Sequence, residues 1–139
     1  MKHNPFLNSP LFKCNHLFAL VPLLLFLAGI VPVAQGAEFQ KGSYSATLPN
    51  GAEIVLKFED KGKFSLAHKD GKLLVEGTYK AAKNHIEFTD EKGPIASKDA
   101  KPGKYEWKLE SDKLNFTLVQ DESEGRRNGL TRPTWTLQK

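Results

Sequence analysis

Cysteine is almost missing from this chain: of 139 residues only Cys14 is one. It stands ahead of an apolar run rather than behind it, so it is not placed for lipid modification. No disulfide can form downstream of it, and stability there must come from burial and hydrogen bonding alone. Catalytic signatures are missing too. No serine sits in a Gly-x-Ser-x-Gly elbow and no glycine-rich phosphate loop is present. The acid pairs Asp90-Glu91 and Asp121-Glu122 are neighbours in sequence, where side chains diverge or are solvated, so they make poor general acid and base couples. His68 and His85 lack a third ligand at zinc spacing. The sequence therefore offers no catalytic residue, no metal site and no cofactor motif, and reads as a non-enzyme. Strong charge is also lacking. The net charge is +4, and half of it comes from Lys2 and Lys13 near the N-terminus. Elsewhere the signs alternate closely, as in Lys57-Phe58-Glu59-Asp60-Lys61. That is a solvated surface, not a phosphate-binding stripe, and nucleic acid is not an expected partner.

What is present begins with an export address. Lys2, Lys13 and His16 give a basic start, an apolar run follows from Leu17 to Val33, and Ala34-Gln35-Gly36 supplies small residues at a cleavage site. This is the order of a secretory signal peptide. Pro22, Gly29 and Pro32 break the run, which is short against the roughly 20 apolar residues of a stable span. The predicted signal peptide is 1–36, cleaved after Gly36, with an uncleaved anchor as the alternative. It leaves 37–139 as one domain with a single core. That domain is expected in the periplasm or outside the cell, with no membrane span after cleavage.

The rest of the chain alternates with a period of two. Tyr105, Trp107 and Leu109 point one way, and Lys104, Glu106, Lys108 and Glu110 the other. Leu114, Phe116 and Leu118 repeat this against Lys113, Asn115 and Thr117, as do Ile54, Leu56 and Phe58 against Glu53, Lys57 and Glu59. Each run predicts a strand with one buried face. Turn chemistry at Pro49-Asn50-Gly51, Asp60-Lys61-Gly62, Asp70-Gly71, Lys83-Asn84 and Ser111-Asp112 separates them. Eight strands result, over about 40–48, 52–59, 63–69, 72–81, 85–90, 103–110, 113–120 and 134–138. No segment carries a ten-residue helical stripe, and the long connection 121–133 has room for one short turn. Short links imply an antiparallel meander. The fold class is thus all-β: an eight-stranded antiparallel up-and-down meander β-barrel, which buries the apolar face and removes both edges. The alternative is a two-sheet β-sandwich.

Gly42-x-Tyr44, Gly77-x-Tyr79 and Gly103-x-Tyr105 place a glycine beside a ring on one face, as a sheet curving inward would use. Continuing the alternation puts Tyr44, Phe58, Phe64, Tyr79, Phe88, Tyr105, Trp107, Phe116 and Trp135 inside the barrel. These rings either line a cavity for a flat or aliphatic molecule or fill a solid core. A void of roughly 300 Å³ or more would mark a ligand site. His68 shares the parity of Phe64 and Leu66 and is a candidate mouth residue. Arg126 and Arg127 are two more: either they receive a carboxylate at the mouth, or they pair with neighbouring acids and strand-end carbonyls.

Several pieces resemble the small bacterial secreted lipocalin-like (calycin-type) domains. They are Phe58-Glu59-Asp60-Lys61-Gly62-Lys63-Phe64, Glu76-Gly77-Thr78-Tyr79, Ile86 to Pro94, and Gly103-Lys104-Tyr105-Glu106-Trp107-Lys108-Leu109. The run from Leu114 through Asp121, Arg126 and Arg127 to Pro133-Thr134-Trp135 completes the set. The resemblance implies an up-and-down barrel that binds a small apolar ligand. It also implies cysteines near positions 97 and 123 tying the two long loops together, where this chain has Ser97 and Ser123. The competing expectation is a pocketless extracytoplasmic module that contacts a protein or envelope partner through loops 91–102 and 121–133.

Overall fold

Alternation of apolar and polar residues produces a sheet, and the sheet closes on itself. The computed structural model describes residues 38–139; the signal peptide predicted over 1–36, with Cys14 and the cleavage site, lies outside them. Strands β1 (Gly42–Thr47), β2 (Glu53–Glu59), β3 (Lys63–His68), β4 (Leu73–Ala82), β5 (His85–Lys92), β6 (Gly103–Glu110), β7 (Lys113–Gln120) and β8 (Trp135–Leu137) follow in chain order. Each pairs antiparallel with the next, and β8 returns to β1, giving a closed eight-stranded barrel rather than a sandwich. The closing strand is short. Only Tyr44 and Ser45 pair with it from β1, and only Lys113 and Leu114 from β7. Trp135, wholly buried, anchors it by donating its indole N–H to the Leu130 carbonyl at 3.1 Å.

The inward faces form one aromatic core. Phe88 sits at its centre, with ring centroids 5.1 Å from Phe64, 5.7 Å from Phe116 and 5.9 Å from Tyr105. Most of these pairs meet edge to face, the arrangement that ring quadrupoles favour. The buried phenols find acceptors: Tyr44 donates to the Gln40 carbonyl at 2.7 Å and Tyr79 to that of Glu59 at 3.3 Å. The alternation fails at one place. Leu118 has the parity of Leu114 and Phe116, yet it is 45% exposed, and Val119 beside it is 52% exposed. The register between β6 and β7 slips there: Tyr105 faces Leu118, but Lys104 faces Gln120. The extra residue on β7 re-aims the side chains, as bulges do.

The two barrel ends differ. At one end lie the tight β2–β3, β4–β5 and β6–β7 turns, and Phe39 packs there ahead of β1. Its ring meets Phe58 at 4.7 Å and Trp107 at 5.1 Å, both nearly perpendicular. Nothing in the alternation pointed to Phe39, because it belongs to no strand. Phe39→Ala is expected to lower unfolding free energy by about 2 kcal/mol, since the ring is only partly buried; urea denaturation measures it.

At the other end lie the two long connections. The second holds a helix, α1 (Glu124–Thr131), where the sequence left room for only one turn. Its sequence, EGRRNGLT, carries two glycines and one buried apolar residue, Leu130, so it has no stripe to read. Ser123 caps it by accepting from the Arg126 backbone N–H at 3.2 Å, which satisfies an otherwise free donor of the first turn. Among the described residues no helix is long and apolar enough to cross a membrane.

Candidate functional site

Beneath α1 the barrel is not filled. A cavity of about 200 Å³ lies between Leu56, Phe64, Leu66, Val75 and Phe88 of the wall and Gly125, Gly129 and Leu130 of the helix. Ile95, from the β5–β6 connection, completes the lining and is 57% exposed. The volume falls short of the roughly 300 Å³ that was to mark a ligand site. It is above the roughly 150 Å³ of an apolar cavity that binds benzene. A cavity of this size admits a molecule of about one ring.

Two side chains make its polar exception, Asp90 and Arg126. Asp90 follows Ile86 and Phe88 at the same parity on β5, so the strand itself turns it inward. Arg126 lies in the first turn of α1. Their side chains are 3% and 6% exposed, and Arg126 Nη1 stands 3.3 Å from Asp90 Oδ1.

The remaining guanidinium hydrogens are committed. Nε donates to Asp121 Oδ2 at 2.6 Å and Nη2 to Asp121 Oδ1 at 2.7 Å, a bidentate fork of the strongest hydrogen-bonded kind. Nη2 also reaches the Lys101 carbonyl at 2.8 Å, which ties α1 to the β5–β6 connection. Asp121 further accepts from the Tyr105 hydroxyl and from the Ser123 N–H. Burial alone would push the Asp121 carboxyl up. The bonds from Arg126, Tyr105 and Ser123 outweigh it and hold the group below the usual carboxylate value. Burial, with the Asp121 carboxylate, pushes the Tyr105 phenol far up. Arg126 is held charged by its two carboxylates against the pull of burial.

The same cluster explains one glycine. A Cβ at Gly103 would strike the Asp121 carboxylate and Arg126 Nε, so the buried ion pair needs the open backbone that Gly103 gives β6. Ser97 and Ser123, where the resemblance implies cysteines, face each other with Oγ atoms 2.5 Å apart. Ser97 also donates its N–H to Asp90 Oδ2 at 2.9 Å. The two long connections are thus held by a hydroxyl contact and a buried ion network in place of a disulfide.

All nine rings predicted to face inward are buried, but they divide in position. Phe64 and Phe88 line the cavity; Tyr44, Phe58, Tyr79, Tyr105, Trp107, Phe116 and Trp135 pack in the surrounding core. Trp107 lies at the Phe39 end, so Trp135, bonded to Leu130, is the indole nearer the cavity wall. His68 closes β3 opposite Ile54, half-buried and outside the cavity lining. Arg127 donates to the Asp121 carbonyl at 3.0 Å. Sequence reasoning missed Asp90, Leu130 and Ile95. Only Asp90 had a usable signal, its parity on β5. Among the described residues no group of three His, Cys, Asp or Glu side chains is placed to hold a metal ion. No family model, no curated protein and no solved structure matches the chain.

Proposed function

We propose that the protein is an exported, lipocalin-like barrel that works by binding, and that it holds a small, largely apolar molecule in the cavity beneath α1. The observation that carries this reading is the cavity itself. It is an apolar space of about 200 Å³ with an aliphatic and aromatic wall and two buried polar groups at one side. Sites for small ligands share that composition of apolar wall and few convergent polar groups. The alternative, contact with an extracytoplasmic protein through the two long connections, rests on the exposed Ile95 at the same end. It gives no role to the cavity.

Toluene tests the reading. Titration followed by methyl NMR is expected to shift Leu56, Leu66, Val75 and Leu130 saturably, and to alter Trp135 fluorescence. A Kd on the order of 0.1–1 mM suits seven heavy atoms held mainly by burial. Val75→Phe, which fills part of the space, is expected to weaken binding by about tenfold, the equivalent of about 1.4 kcal/mol. Methyl signals that stay fixed up to the solubility limit of toluene would end the proposal.

A further inference from the structure

The helix above the cavity carries two glycines that the fold does not require. Gly125 and Gly129 stand about one turn apart on α1, and both line the cavity. Neither has a positive φ. A Cβ built on either meets no atom within 4 Å outside its own helical turns. Every other glycine of the described residues either has a positive φ or, like Gly77 and Gly103, leaves no room for a side chain. In a helix the freedom of glycine is a disadvantage. It is the poorest helix former after proline, because it gives up the most backbone entropy on ordering. α1 has only eight residues, and short helices are marginal on their own. An alanine at either position would steady the helix without a clash. What its methyl would take is space beside α1, in a cavity whose other walls include Leu56, Leu66, Val75 and Phe88.

The two positions differ in depth. Gly125 is exposed, as is Ile95, so the cavity reaches solvent at that side; Gly129 is half-buried and next to the buried Leu130. We infer that Gly129 is a specificity-determining residue of the cavity, its bare backbone setting the widest molecule that the space accepts. The inference rests on the ligand-binding reading above and adds the size limit of that site. It also narrows the ligand class to a single apolar ring with small alkyl substituents, wide enough to use the room that a side chain at Gly129 would take. Packed interiors yield to an extra methyl only at a cost. A methyl at Gly129 therefore hurts a substituted ring more than a bare one.

Benzene and p-xylene, each titrated by methyl NMR on the intact protein, decide the matter with two variants. The native protein is expected to bind p-xylene at least as tightly as benzene, since it buries more apolar surface. Gly129→Ala is expected to weaken p-xylene about tenfold and benzene less than about threefold, while the Tm rises by roughly 4 °C. Stability and binding then move in opposite directions, which a merely structural role does not produce. Asn128→Ala is the control. It also favours the helix, and Asn128 does not line the cavity. It is expected to raise the Tm and leave both affinities unchanged. If it weakens p-xylene as much as Gly129→Ala does, the mobility of α1 governs binding and the inference falls. It falls too if Gly129→Ala lowers the Tm, leaves p-xylene unaffected, or weakens both ligands equally, and in each of these cases the cavity reading stands. No binding of either ligand by the native protein overturns both.

Discussion

Replacing Arg126 with alanine is expected to lower the unfolding free energy by about 3–5 kcal/mol, the cost of breaking a buried ion pair by removing one partner. For a domain of this size that is a Tm lower by roughly 15 °C or more. The loss does not measure how much the pair adds over an apolar core. It measures two carboxylates, Asp90 and Asp121, left in the barrel end without their cation.

The pH dependence separates this cause from lost packing. In the native protein Asp121 is held below the usual carboxylate value. Its contribution is therefore complete above the unfolded value, near 3.9, and is lost as pH falls through the lower folded one. In Arg126→Ala the sign reverses. Burial without a cation raises the folded pKa, so protonation favours the native state of the variant. The gap between variant and native protein should therefore narrow as pH falls from 7 toward 5. Thermal unfolding across that range reads it. A gap that stays constant would mean that the guanidinium acts only by filling space.

Ser97→Cys with Ser123→Cys is expected to have an effect of similar size in the opposite direction. The two Oγ atoms are 2.5 Å apart across 26 residues of chain, so the side chains already point at each other as a disulfide requires. Closing a loop of that length is worth about 3–4 kcal/mol on the chain-entropy account. The oxidised double variant should gain that much in denaturant unfolding and lose it on reduction. The same bond would fix the β5–β6 connection, which gives Ile95 to the cavity lining, to the start of α1, which gives Gly125 and Arg126. Ligand exchange should then slow more than affinity changes. A double variant that stays reduced in air would show that the serines meet only through a mobile contact.

The barrel was legible because strand alternation is a local signal repeated seven or eight times. Ile54, Leu56 and Phe58, or Tyr105 and Trp107, announce the buried face without reference to any other part of the chain. The candidate site was less legible because it is built from residues whose roles only closure creates. Asp90 stands next to Glu91 and looks like half of a solvated pair. Its burial follows from counting on from Ile86 and Phe88, a parity that holds through the strand end. Leu130 lies in a segment with two glycines and no apolar stripe, and α1 forms there because Ser123 caps it and Arg126 is gripped by Asp121. Leu118 shows the converse: a good alternating pattern gives the wrong face once a bulge intervenes. Phe39 has no pattern at all, and only the open end of a finished barrel gives it a place.

Ligand binding in this barrel requires a receptive space under α1. A crystal of the protein under xenon pressure examines that directly, because xenon enters apolar cavities of this size without needing a polar partner. Xenon is expected between Leu56, Leu66, Val75 and Leu130, with Ile95 beside it. A crystal in which those side chains meet one another and leave xenon no place would contradict it.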